Sequence, residues 1–186
     1  MTKHPGVSRL HHHAWRCRDS EETRAFYEDV LGMKLAIFLR LPHYEQPGDR
    51  PPFTHLFFEM NDGSYIAFFD LGDNQAADPS PNTPSWCNHM ALHMNSIDEV
   101  MQAKARLEAN GIDVVGLTDH KFVKSIYFFD PNGHRVELAA DIGTDDQYAE
   151  LKKVAMPMLD EWSQTKKAPR HADWLHEVAR AEQTSD

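Results

Sequence analysis

Apolar and polar positions along this chain change period in the same order twice. Val7 to Cys17 alternates with period two, as a half-buried strand does. The alternation stops at Asp19, where Asp-Ser-Glu-Glu supplies an N-cap with Glu22 in the capping-box place. Phe26, Tyr27, Val30 and Leu31 then recur at helical spacing, and Gly32 stands where a helix ends in a left-handed residue. Met33–Leu39, Phe53–Met60 and Ser64–Leu71 read as strands, the last two joined through Asn61-Asp62-Gly63. Pro42 to Pro52 holds four prolines and a glycine, so it reads as a loop long enough to be a lid or rim.

After a polar, proline-rich linker the plan restarts. Trp86–Met94 predicts a strand, Ser96 to Glu99 a second capping box, Val100–Ala109 a helix ended by Gly111, and Ile112–Gly116, Phe122–Phe129 and His134–Ala139 three strands. The expectation is an α+β fold: two βαβββ modules in tandem, residues 1–74 and 86–142, joined by a linker at 75–85 and forming one cupped mixed sheet within a single fused domain. Residues 143–186 form a helical tail, one or two helices broken near Pro157 and Pro169, with Trp162, Trp174 and Leu175 as packing anchors. Such a tail covers a sheet edge or a subunit contact, which predicts a homodimer.

The second hairpin fixes a register. In Asp130-Pro131-Asn132-Gly133, Pro131 presets its own φ and Gly133 can take the left-handed conformation that a three-residue loop with a bulge needs. Asp130 then pairs with His134, and Tyr127 stands opposite Glu137 with Cβ atoms about 5 Å apart. Ile126, Phe128, Val136 and Leu138 fill the other face, so Glu137 and Tyr127 point away from the packed core.

The repeat adds two histidines to that open face. Its spacing is about 77 residues early and 70 late, which makes His12 and His89 equivalents, each seven residues before its helix cap. Strand alternation puts His11, His13, Trp15 and Cys17 on the helix side and His12 on the other; Met90, Leu92 and Met94 likewise leave His89, Ala91 and His93 on the open face. Two imidazoles and a carboxylate make a metal-ligand set that keeps coordination positions open for substrate and for dioxygen or water.

Composition narrows the partners. The net charge is -10, from 19 basic and 29 acidic residues with no basic cluster, which excludes nucleic acid and an anionic membrane surface and leaves a small molecule. No apolar run is long enough to span a bilayer, and MTKHPGVSRLHHH has no signal-peptide core, so a cytoplasmic protein is expected. Cys17 and Cys87 are too few for a disulfide framework and read as reduced, packed thiols.

The repeated plan, with HHHAWRCRDSEETRAFYEDVLGMKL opening one module and NHMALHMNSIDE the other, resembles the vicinal oxygen chelate superfamily of glyoxalases, fosfomycin-resistance enzymes, bleomycin-binding proteins and extradiol dioxygenases over residues 7–142. Thr118-x-His120, Ile126-Tyr127, Asp130-Pro131-x-Gly133 and Glu137 are spaced as in the extradiol dioxygenase signature. The resemblance implies His12, His89 and Glu137 as ligands of a divalent metal, most simply Fe(II), with Mn, Zn or Ni as options. It also implies His120 near the substrate and Tyr127 bonded to a catecholate oxygen. Two positions depart from the family: Ala67 stands where many glyoxalases have a fourth ligand, with Glu59 nearby as a rim charge, and Ser64-Tyr65 stands where extradiol enzymes carry an acid–base histidine, leaving Tyr65 as a candidate for part of that role. The implied activity is ring cleavage of an aromatic diol by dioxygen. A glyoxalase-like isomerase or lyase, or a fosfomycin-type transferase, would use the metal as Lewis acid, and a metal-free binding module would only sequester a flat ligand.

Overall fold

The computed structural model describes Val7, residues 9–41 and residues 53–167. The proposed lid at 42–52 and the tail positions Pro169, Trp174 and Leu175 lie outside them. The first half runs β1 (His12–Cys17), α1 (Ser20–Arg24) with a π-helical continuation (Ala25–Val30), β2 (Lys34–Leu41), β3 (Phe53–Glu59) and β4 (Tyr65–Asp70). The second runs β5 (Met90–His93), α2 (Ile97–Ala109), β6 (Val115–Asp119), β7 (Val123–Phe129) and β8 (Arg135–Asp141), followed by α3 (Asp145–Thr165). The strand orders, β1-β4-β3-β2 and β5-β8-β7-β6, are the same plan twice. The fold is α+β with two tandem βαβββ modules, each building a four-stranded sheet. No helix among the described residues is long and apolar enough to cross a membrane.

Local chemistry explains the helix ends. The Asp19 side chain accepts the Glu22 N–H at 2.8 Å, as an N-cap does. Beyond Arg24 the helix widens, the Leu31 N–H reaching the Phe26 carbonyl five residues back at 3.0 Å, and the consecutive residues Phe26 and Tyr27 both become buried. Gly32, at φ +80°, ends it, and the Met33 N–H bonds the Tyr27 carbonyl at 2.9 Å. At α2 the Ser96 hydroxyl accepts the Glu99 N–H at 3.2 Å, while the Glu99 carboxylate takes the Asn95 N–H at 2.9 Å, one residue earlier than a capping box would.

By compactness the chain divides into two units. The first comprises Met1–Met90, Ala105–Asp113 and Phe128–Val136. Its core holds Tyr27 of the helix with Leu56, Phe58, Ile66 and Phe68, the residues of β3 and β4 that alternation turns toward it. The Asp130–Gly133 turn belongs here because of a buried polar network. Asp130 accepts the Tyr27 hydroxyl at 3.0 Å and the Asn132 and His134 N–H groups at 2.9 and 2.7 Å. Asn132 in turn donates to the Thr23 hydroxyl and accepts the Arg18 N–H. Burial lifts the Tyr27 phenol well above its usual pKa and raises that of Asp130. Asp130 also pairs with His134 through a 2.9 Å backbone bond, and Gly133 lies at φ +83°, as the turn chemistry predicts.

The second unit comprises Ala91–Lys104, Val114–Tyr127 and Glu137–Asp186. Thr118 pairs with Ser125 in the β6–β7 ladder. Thr144 and Gln147 form a reciprocal capping box at the start of α3, and the Tyr148 hydroxyl lies 3.0 Å from the Phe122 carbonyl and 2.7 Å from Asp141. Three expectations change. The strand expected over Ile112–Gly116 lies at Val115–Asp119. α3 runs unbroken through Pro157, because half-buried Leu151, Val154 and Met158 recur on one side across it. The strand expected over Trp86–Met94 is confined to Met90–His93, since the Cys87 N–H bonds the Pro84 carbonyl at 2.9 Å and closes a turn.

That turn leaves Cys87 exposed, not packed, whereas Cys17 is fully buried and its thiol is pushed up to about 11 by burial. Ellman titration of the native protein should therefore count one rapidly reacting thiol, and two after unfolding. Two rapid thiols in the native state would contradict the burial of Cys17.

Candidate functional site

In the first unit the open face of the sheet gathers aromatic and imidazole groups around His12. Its ring centroid lies 5.6 Å from Phe57 and 6.3 Å from His55, on the side opposite the Trp15–Phe68 contact. Tyr65 is its register partner on β4. His11 departs from the expected alternation: it precedes β1, and its Nδ1 lies 2.8 Å from His12 Nδ1, a separation at which one nitrogen donates to the other.

His55 is the residue that sequence reasoning missed. It is 9% exposed, stacks on Phe69 at 3.7 Å, and its Nε2 is buried with no hydrogen-bond partner. Burial, with His12 nearby, lowers its pKa and keeps the ring neutral. A buried nitrogen of this kind costs free energy unless something bonds it. Its signal in the sequence was a lone histidine among the apolar residues of β3, but it has no histidine counterpart in the repeat: position 125 is a serine. Ser125 is buried too, and its hydroxyl likewise has no partner.

His89 sits just before β5, exposed, with Nδ1 3.0 Å from the Cys87 carbonyl. It lines an open cleft of about 820 Å³ together with His13, Trp15, His134 and Arg135, residues of the first unit. Trp15 and His134 stack there at 4.1 Å.

In the second unit Glu137 is 6% exposed on β8. The neighbouring strand β7 carries Tyr127, whose hydroxyl lies 2.7 Å from His120 Nε2. Sequence alone gave the two residues separate roles, and the structure joins them. Glu59, the rim charge, is exposed, and Ala67 is buried.

The donor types of His12, His89 and Glu137 suit a divalent cation, and the buried, unpartnered His55 nitrogen beside His12 suits a polar ligand on that face. Among the described residues, however, no three His, Cys, Asp or Glu side chains are grouped closely enough to hold a metal ion.

The Glyoxalase/Bleomycin resistance protein/Dioxygenase superfamily model matches residues 9–138. The chain belongs to that superfamily. No match is found among curated proteins. Among solved structures, this superfamily member is similar to the trypanothione-dependent glyoxalase I of Leishmania major, at 16% identity over 84% of this chain and 99% of the other, with a TM-score of 0.57. A fosfomycin resistance protein of Listeria monocytogenes, solved with Mn(II) and a dihydroxypropylphosphonic acid, matches at 23% identity over 77% and 99%, with a TM-score of 0.54. A glyoxalase/bleomycin resistance protein/dioxygenase domain from Frankia sp. EAN1pec matches at 16% identity over 74% and 100%, with a TM-score of 0.58. At these identities the likeness concerns the vicinal oxygen chelate fold, not a reaction.

Proposed function

We propose that this superfamily member is a metal-dependent extradiol-type dioxygenase acting on a small aromatic diol, with His12, His89 and Glu137 as the ligand set. The observation that carries the reading is the 2.7 Å bond between His120 Nε2 and Tyr127 Oη, on the strand beside the buried Glu137 carboxylate. A phenol bonded to an imidazole can hold a diol oxygen and hand its proton on, which a merely packed tyrosine cannot. When bound, a divalent metal, Fe(II) for dioxygen chemistry, supplies the positive charge that lowers the pKa of a chelated diol.

The chain's own groups then have distinct tasks. Tyr127 donates to the diolate oxygen, and His120 fixes the direction of that hydroxyl. On the His12 face, Phe57 and Phe69 offer aromatic surface, and His55 Nε2, neutral and otherwise unpartnered, accepts a proton where the sequence has Ser64-Tyr65 in place of the usual histidine. Tyr65, beside His12 in the sheet, orients the substrate alongside it.

Anaerobic purification followed by metal analysis and an oxygen-electrode screen of catechols tests this. The expected result is iron-dependent uptake of one dioxygen per diol, with His55→Gln lowering kcat and leaving iron content unchanged. Metal-dependent turnover without oxygen uptake would replace the dioxygenase by a Lewis-acid isomerase, lyase or transferase. Ligand binding with neither metal nor turnover would leave a binding module.

A further inference from the structure

His11 and His12 are neighbours in the chain, and two consecutive strand residues would put their rings on opposite faces of the sheet. They meet because His11 stands just before β1, where its carbonyl accepts the Tyr65 N–H at 3.0 Å and pins its backbone beside β4. The centroid of its ring lies 6.3 Å from that of Tyr65. The His12 ring stands edge-on to both His11, at 5.0 Å, and Phe57, at 5.6 Å. The two Nδ1 atoms are 2.8 Å apart, so one carries a proton and the other offers a lone pair.

The repeat indicates which is which. His89, the equivalent of His12, has its Nδ1 3.0 Å from the Cys87 carbonyl. A carbonyl oxygen only accepts, so neutral His89 carries its proton on Nδ1 and its lone pair on Nε2. The same state at His12 requires His12 Nδ1 to donate and His11 Nδ1 to accept. Each histidine of the proposed ligand set then has Nδ1 engaged by a residue one or two places earlier, with Nε2 in the form that binds a cation. We propose that His11 is a positioning residue for His12: its Nδ1 accepts the His12 Nδ1–H, which fixes the tautomer and direction of that ring and leaves Nε2 as the coordinating atom. This rests on the ligand set proposed above. Both rings are exposed, so water can accept the same proton without holding the ring in one direction. The loss expected without His11 is therefore about tenfold in cation affinity, the lower end of the range for groups that orient a ligand.

Two substitutions separate the hydrogen bond from packing. His11→Asn keeps an acceptor oxygen close to the place of Nδ1 and loses the ring, whereas His11→Phe keeps a ring and loses the acceptor. Long-range proton–nitrogen NMR spectra of the full, metal-free chain at about pH 8, where imidazoles are neutral, report the tautomer directly. His12 should be in the Nδ1–H form in the wild type and in His11→Asn, and mainly in the Nε2–H form of an unsupported imidazole in His11→Phe. Titration with Mn(II) should give His11→Asn an affinity close to that of the wild type and His11→Phe one about tenfold weaker. A wild-type His12 protonated on Nε2 would overturn the role of His11 and leave the ligand set standing. So would a His11→Phe chain that binds Mn(II) as the wild type does while His12→Ala does not. Mn(II) bound equally well by His12→Ala would overturn the ligand set, and this inference with it.

Discussion

Asp130→Ala is expected to lower the free energy of unfolding by roughly 3–5 kcal/mol, the range for leaving several buried donors without an acceptor. The Tyr27 hydroxyl and the N–H groups of Asn132 and His134 all converge on this one carboxylate. Asp130 is 5% exposed, so water cannot take its place at no cost. Tyr27→Phe, which removes one donor and leaves the others satisfied, should cost only about 1 kcal/mol. The dependence on pH has a definite sign. Burial raises the Asp130 pKa, so its contribution is complete below the unfolded value of about 3.9 and declines as pH rises through the folded one. Urea melts at a series of pH values should show the gap between wild type and Asp130→Ala narrowing from about pH 4 upward. A gap that widens with pH, or a cost below about 1 kcal/mol, would mean that the turn is not held by this network.

The second large effect is on turnover. If Tyr127 bonds a diolate oxygen, Tyr127→Phe should leave metal content unchanged and lower kcat/KM about tenfold to a hundredfold, the equivalent of a charge-assisted hydrogen bond of roughly 1.5–3 kcal/mol. His120→Ala should do the same, since its Nε2 is the group that aims the hydroxyl. Because the two share one bond, the double variant should lose little more than either alone. Fully additive losses, or a Tyr127→Phe enzyme as active as the wild type, would reduce the pair to packing.

Much of the fold is legible because its punctuation is local. Asp19 and Asp130 act through side chains on backbone N–H groups two to four residues away, Gly32, Gly111 and Gly133 through their own backbone, and each appears where its chemistry demands. The failures have tertiary causes. Alternation extended the strand back to Trp86, but the Pro84 carbonyl captures the Cys87 N–H, so His89 enters β5 from a turn and lines the cleft with His13. Propensity alone makes Pro157 a break, and packing on either side overrides that cost. His55 is not legible because one histidine in an apolar strand has no period to betray it, and only burial reveals its unpartnered nitrogen. The Tyr127–His120 bond is out of reach of the sequence because His120, just past the end of β6, meets Tyr127 on β7 only through the turn and register of that hairpin.

Metal content is the most direct check on the ligand set. After anaerobic iron loading, elemental analysis of folded protein should find one iron per chain in the wild type and in His13→Ala, and little in His12→Ala, His89→Ala or Glu137→Ala. Iron retained by both His12→Ala and Glu137→Ala would contradict the assignment, as would iron lost from His13→Ala, which would move the ligands to the other face of β1.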